Sequence, residues 1–91
     1  MTPEHKKKAL LNFKKTQSLL GKIIEMLESG EYCVNVMQQN LAAIGLLKSA
    51  HQTLMAGHLN SCFKSAVCSN NSKKQQAMID EILTVTNLLN K

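Results

Sequence analysis

The chain has 91 residues and a net charge of +5, with one tyrosine, two phenylalanines and no tryptophan. This length predicts a single helical domain over residues 1–91, and no apolar run reaches the roughly 18 residues of a membrane span. The sequence starts without the apolar stretch of a secretory signal and has three cysteines, an odd number that argues against a disulfide framework, so we expect a cytoplasmic protein.

A first helix is predicted to begin at Thr2-Pro3 and to end at Ser29-Gly30. Threonine caps helix N-termini and proline is tolerated in the first turn, whereas glycine ends helices. Between these limits, apolar residues recur at close to helical spacing. The chain has only four glycines, and Pro3 is its single proline, which also favours helix over strand.

The first helix is strongly basic, because residues 1–22 contain six lysines and one glutamate, a net charge of +5. Lys8, Lys15 and Lys22 repeat every seven residues and share a stripe, and Lys14 lies beside it. Nucleic acid is one partner for such a surface. Lysines on a solvated helix face are the alternative interpretation.

A second helix of about 35 residues is predicted over residues 31–68, which contain no proline and only two glycines. It would be about 50 Å long, whereas a compact chain of this size has a radius of gyration near 12 Å. Its own chain cannot cover its apolar stripe. We therefore predict an antiparallel homodimer in which two helix pairs form a four-helix bundle.

A third helix is predicted after the polar turn at residues 69–72. Ser72 and Gln75 have the spacing of a capping box, and apolar residues continue at helical spacing to Leu89. The predicted fold class is therefore all-α, with three helices per chain and one long central helix.

Cys33, His58 and Cys62 lie on one stripe of the long helix. His58 and Cys62 are four residues apart, and the 25 residues from Cys33 to His58 return to within about 20° of the same direction. The rise over those 25 residues is about 37 Å, so Cys33 cannot reach His58 within one straight helix. In an antiparallel dimer, Cys33 of one subunit would lie beside His58 and Cys62 of the other, which gives two sites per dimer.

Two thiolates and one imidazole form a soft, three-coordinate set that suits Cu(I). Zinc normally requires a fourth ligand, and nickel or cobalt prefers more nitrogen and oxygen ligands. Buried cysteines are also common as small apolar residues, so ordinary core packing of these three side chains is the alternative interpretation.

Three segments form a further pattern along the chain: Tyr32-Cys33-Val34-x-Val36, Leu41-Ala42-Ala43-Ile44 and His58-x-x-x-Cys62. Together they resemble the CsoR family of copper-sensitive operon repressors. The basic first helix and the segment Ile79-Asp80-Glu81-Ile82-Leu83 extend the resemblance over nearly the whole chain. The spacing of the two cysteines and the histidine is specific to the Cu(I)-sensing branch of that family.

The resemblance implies a Cu(I)-sensing repressor whose dimers pair into a tetramer. The apo form would bind operator DNA, and Cu(I) at the intersubunit site would release it and derepress copper-resistance genes. The resemblance also implies that Tyr32 and Glu81 form hydrogen bonds around the ligand histidine, which would fix the orientation of the imidazole.

The chain departs from the family on its DNA surface, because all eleven basic residues are lysines. Positions where family members carry arginine are here Asn12, Lys15 and Gly21 in the first helix, and Gly45 or Ser49 in the second. Lysine neutralises phosphate but lacks the bidentate contacts of a guanidinium group. A copper buffer or chaperone of the same fold that does not bind DNA is therefore the alternative function.

Other candidate residues are assigned weaker roles. Cys68 is predicted to point away from Cys62, His51 to fill the dimer core, and His5 to lie on the surface. An enzyme is not predicted, because Cys33 and His58 lack an orienting carboxylate and an oxyanion-hole glycine pattern. A thiol sensor of formaldehyde or persulfide, reacting at Cys33, is a further alternative that the family resemblance leaves open.

Overall fold

The computed structural model describes residues 1–89, so the last two residues of the predicted domain, Asn90 and Lys91, lie outside it. All elements in the described range are helical, which confirms the all-α prediction. They are α1 (Pro3–Glu28), α2 (Cys33–His58), a π-helical segment (Leu59–Phe63), α3 (Lys64–Cys68) and α4 (Ser72–Leu89).

Helix α1 begins and ends as predicted. The hydroxyl of Thr2 accepts a hydrogen bond of 3.3 Å from the backbone N–H of His5, and Pro3 is the first helical residue. After the helix, Gly30 adopts a φ of +77°, a left-handed conformation that glycine takes without steric cost. The chain can therefore reverse direction within a few residues.

Helices α1 and α2 pack antiparallel through residues spaced seven apart. The buried positions with this spacing are Ala9, Thr16 and Ile23 in α1, and Val36, Ala43, Ala50 and Gly57 in α2; Thr53 of α2 is buried as well. Most of these side chains are small, so the two backbones can approach closely. Because the pattern repeats along both helices, α1 and α2 form a two-helix layer with two distinct faces.

The predicted long second helix is confirmed, with one irregularity. The backbone keeps right-handed helical dihedrals at both ends of the π-helical segment Leu59–Phe63, so the helix continues from α2 into α3. A π turn disturbs the regular i→i+4 ladder. Here Asn60 Nδ2 donates to the carbonyl of Ala56 at 2.9 Å, and Ser61 Oγ donates to the carbonyl of Gly57 at 2.7 Å.

The predicted capping box at Ser72 is wrong. Asn71 caps α4 instead, because its Oδ1 accepts a 3.2 Å hydrogen bond from the backbone N–H of Lys74. The Gln75 side chain turns back to α3, where its Nε2 donates to the carbonyls of Val67 at 2.9 Å and Ser69 at 2.7 Å. This side chain therefore ties the start of α4 to the end of α3.

The chain forms a thin, elongated body with extents of 58 × 28 × 14 Å and a radius of gyration of 17.4 Å. Large apolar side chains stay on its surface, including Leu27 at 64% and Leu41 at 65% exposure. Exposed apolar surface of this kind is typical of a subunit that buries it against a partner. The homodimer itself stays a prediction. Within residues 1–89, no helix is both long enough and apolar enough to cross a membrane.

Candidate metal centre and nucleic-acid interface

Two open grooves lie against α2 and involve different residues of that helix. One, of about 720 Å³, lies between α2 and α4 and is lined by His51, Leu54, Met55 and His58 of α2. The other, of about 410 Å³, lies between α1 and α2 and is lined by Ser49, Gln52, Thr53 and Ala56 of α2. We call them the histidine groove and the polar groove.

The three predicted metal ligands lie at opposite ends of α2. Cys33 is its first residue and His58 its last, about 37 Å apart at the rise of an α-helix. Cys62 follows in the π-helical segment, and both cysteine side chains are exposed free thiols. Within residues 1–89, one chain brings together no group of three metal-binding side chains. One chain thus places Cys33 far along the helix from both His58 and Cys62.

Glu81 of α4 and His58 of α2 line the same histidine groove. His51 and Asp80 also line it, and Asp80 is already engaged by Gln76, whose Nε2 donates to it at 2.9 Å. Glu81 is therefore on the side of the chain where its predicted role requires it.

Tyr32 lies far from this groove within one chain. It is the N-cap residue of α2, it is 66% exposed, and its side chain forms no capping hydrogen bond. Because it directly precedes Cys33, it shares the remote position of that thiol. Any contact between Tyr32 and His58 would have to come from a second copy of the chain.

The thiol of Cys62 has a polar neighbour that the sequence did not suggest. Ser61 Oγ lies 3.7 Å from Cys62 Sγ, and its single proton is shared between this sulfur and the nearer carbonyl of Gly57 at 2.7 Å. This hydrogen bond, followed by the positive charge of the N-terminal ammonium group, lowers the pKa of Cys62 below its usual value. The thiolate is the form that binds metals, so the local environment favours a ligand role.

The predicted basic stripe lies beside the polar groove. Lys8, Lys15 and Lys22 are exposed and each directly precedes a buried residue of the α1–α2 contact, and Lys14 is exposed as well. Lys8 itself lines the polar groove. Lys8 therefore borders a groove separate from the one that contains His58, and the other three lysines follow it along α1.

Two of the positions where the resembled family carries arginine are bonded to each other here. Asn12 Nδ2 donates a 3.1 Å hydrogen bond to Ser49 Oγ, which links α1 to α2. Neither side chain carries charge, so the positive potential of this surface comes from its lysines.

Cys68 and His5 are the remaining candidate residues. Cys68 is exposed at the end of α3. The prediction that His5 is a plain surface residue is wrong, because His5 is half-buried and packs against the backbone of α2 at Gly57. Sequence periodicity gave no signal for this contact, since it depends on where the first turn of α1 crosses α2.

Known proteins resemble this chain over most of its length. The profile of the metal-sensitive transcriptional repressor family matches residues 5–87. The copper-sensing transcriptional repressor CsoR of Mycobacterium ulcerans (strain Agy99) is 43% identical over 79 residues, which are 86% of this chain and 65% of the relative. The proteins of the same name from Mycobacterium bovis (strain BCG / Pasteur 1173P2) and Mycobacterium tuberculosis (strain ATCC 25618 / H37Rv) are 40% identical over 86% of this chain and 64% of theirs. No solved structure gave a significant match.

Proposed function

Because the chain belongs to the metal-sensitive transcriptional repressor family, we propose that it is a Cu(I)-responsive repressor of copper-resistance genes. Its apo form binds operator DNA, and it releases the DNA when Cys33, His58 and Cys62 hold Cu(I). The chain spans about two thirds of the length of its curated relatives, 65% of the first and 64% of the others cited. Membership of a family of transcriptional repressors also agrees with the prediction that the chain is not an enzyme.

The observation that carries this proposal is the position of the three ligands along the long helix formed by α2 and the π-helical segment. With Cys33 at one end and His58 and Cys62 at the other, two antiparallel copies of the helix bring the ligands together twice. Each site then has two thiolates and one imidazole, a donor set that suits Cu(I). The low pKa of Cys62 supports the same assignment.

A second copy also accounts for the apolar surface of the protomer. Exposed side chains of α1 and α2 lie at the same end of the helix pair, where Leu27, Met37 and Leu41 are all more than half exposed. Burying such side chains contributes roughly 1.5–3 kcal/mol each. A dimer built on this face is a four-helix bundle, and pairing of two dimers gives the tetramer that the resemblance implies.

Two residues around the ligands would support the imidazole of His58. Glu81 lines the histidine groove within the same chain, and Tyr32 would arrive with the partner's thiol next to it. Hydrogen bonds of this kind hold a metal-binding imidazole in one tautomer and orientation. They also connect the metal site to α4 and to the start of α2.

Operator DNA would bind along the basic stripe of α1. Lys8, Lys14, Lys15 and Lys22 are all exposed and neutralise phosphates without reading bases through guanidinium groups. Release by Cu(I) follows from linkage. If binding of DNA weakens the affinity for Cu(I) by some factor, then binding of Cu(I) weakens the affinity for DNA by the same factor. A reducing cytoplasm keeps the thiols of Cys33 and Cys62 available for this purpose.

A copper buffer of the same fold is the second candidate function. The pair Asn12 and Ser49 favours it, because these two positions of the DNA surface carry no charge and are hydrogen-bonded to each other. The two functions share the metal site and differ only in whether the lysines of α1 bind DNA.

Replacing His58 with alanine tests the metal site that both functions need. We expect H58A to lower the Cu(I) affinity by roughly 100-fold or more, because loss of a direct ligand exceeds the 10–100-fold cost of losing a supporting residue. His51→Ala is the matched control, since His51 lines the same groove one heptad earlier. Competition with a Cu(I) chelator under anaerobic conditions measures both. If H58A and the unmodified chain bind Cu(I) with equal affinity, His58 is not a Cu(I) ligand.

A further inference from the structure

Gly57 is the place where the start of α1 comes closest to α2. A Cβ atom built on Gly57 would lie 2.8 Å from Met1 Cγ, 3.0 Å from His5 Cβ and 3.2 Å from His5 Cγ. The Met1 distance is shorter than real Cβ contacts and the His5 distances are tighter than nine in ten of them, so a Cβ at position 57 would displace its neighbours by a few tenths of an ångström. By comparison, a Cβ on Gly45, which lies in the middle of α2, meets nothing within 4 Å.

The contact joins two parts of the proposed machinery. On one side, Gly57 directly precedes the ligand His58 at the end of α2. On the other side, His5 lies one helical turn before Lys8, and both line the polar groove together with Gln52 and Ala56 of α2. The first turn of α1, which contains His5 and leads to Lys8, thus packs against the α2 backbone beside the predicted ligand His58.

The helix is also irregular directly after this contact. The π-helical segment Leu59–Phe63 starts two residues after Gly57, and the carbonyl of Gly57 accepts its hydrogen bond from Ser61. Segments of this type are frequent at functional sites and are less regular than an α-helix. A change in the position of His58 or Cys62 therefore moves a backbone segment that lacks the regular hydrogen bonds of an α-helix.

We propose that Gly57 is the positioning residue that transmits Cu(I) binding from His58 to the DNA-binding start of α1. This inference rests on the proposed function and adds the route by which the metal site acts on DNA. When His58 takes up its position as a ligand, the Gly57 backbone moves with it. The first turn of α1, seated on that backbone through His5, is displaced, and Lys8 leaves its place against DNA. A small shift at Gly57 is enough to displace α1, because tightly packed contacts do not deform gradually but change from one arrangement to another.

Gly57→Ala, compared with Gly45→Ala, tests this route. Both substitutions replace a glycine within α2 by a better helix former, so their intrinsic effects on the helix are alike. Only the new Cβ at position 57 meets another helix. The end of the Met1 side chain can move away, but His5 Cβ is fixed to its backbone, so α1 must shift. We expect apo G57A to bind operator DNA about tenfold more weakly and, by the same linkage, to bind Cu(I) at least as tightly as the unmodified chain.

The decisive quantity is the ratio of DNA affinities without and with Cu(I). Allosteric couplings are typically about 5–150-fold, and we expect this ratio to fall close to 1 in G57A. Because Gly45 is itself a candidate DNA-surface position, G45A is compared through this ratio and not through its absolute DNA affinity, and we expect its ratio to match that of the unmodified chain. Amide hydrogen exchange over residues 3–10 gives a second measurement: Cu(I) should alter it in the unmodified chain and in G45A but not in G57A.

Two results would overturn this inference. If G57A keeps the full ratio, or if Cu(I) leaves hydrogen exchange at residues 3–10 unchanged in the unmodified chain, Gly57 does not transmit the signal although the repressor function stands. If the unmodified chain itself fails to bind Cu(I) or operator DNA, the proposed function is wrong, and the coupling is wrong with it.

Discussion

A mixture of Cys33→Ser and Cys62→Ser chains should recover Cu(I) binding that neither variant has alone. In each homodimer, both sites lack one thiolate, so we expect an affinity loss on the order of 100-fold or more. In a mixed dimer, one site has the intact Cys33 of one chain and the intact His58 and Cys62 of the other. About half of randomly paired dimers are mixed and each has one intact site, so about a quarter of the Cu(I) capacity should return. Anaerobic titration against a chelator, after unfolding and refolding the mixture, measures it.

A second mixture provides the matched control. Cys62→Ser and His58→Ala chains remove ligands that lie on the same side of the site, so no mixed dimer of these variants has an intact site. The outcome that contradicts the intersubunit site is equally clear. If all three ligands came from one chain, mixing C33S with C62S would restore nothing, because every chain would lack one thiolate.

Removing the basic stripe should abolish most of the DNA affinity without affecting the metal. We expect Lys8, Lys15 and Lys22, all replaced by glutamine, to lower apo affinity for operator DNA on the order of 100-fold at ~0.1 M salt. The slope of log affinity against log salt concentration should fall by roughly 3, because each phosphate contact contributes about 0.9. Fluorescence anisotropy at several salt concentrations gives both values.

The control for this prediction loses the same charge elsewhere. Lys64, Lys73 and Lys74 are exposed on α3 and α4, away from the stripe, and their replacement by glutamine should change the DNA affinity far less. Equal losses from both triple variants would mean that net charge, and not the α1 surface, attracts DNA. In that case the first helix would be an ordinary solvated face.

Much of the fold could be predicted because it follows from rules that act within a few residues. The cap at Thr2 and the end of the first helix at Gly30 are both properties of local sequence. The relation of Cys33 to His58 is of the same kind, because a helix fixes both direction and distance from the number of residues alone.

The parts that could not be predicted depend on competition between equivalent groups or on contacts distant in sequence. Ser72 and Asn71 are both good caps, and the open carbonyls at the end of α3 decided between them by engaging Gln75. The position of His5 depends on the close crossing at Gly57, which no periodicity shows. The π-helical segment Leu59–Phe63 likewise has no pattern of apolar residues that distinguishes it from an α-helix.

The most direct test of the repressor proposal is operator binding with and without Cu(I). Fluorescence anisotropy would be measured anaerobically on DNA from upstream of the gene for this chain and of its neighbours. The protein would be titrated first without metal and then with one Cu(I) per chain. We predict tight apo binding that is lost on adding Cu(I), with lysines sufficient in place of arginines. Absence of DNA binding in both states at moderate salt, with Cu(I) still bound, would contradict the repressor and favour the copper buffer.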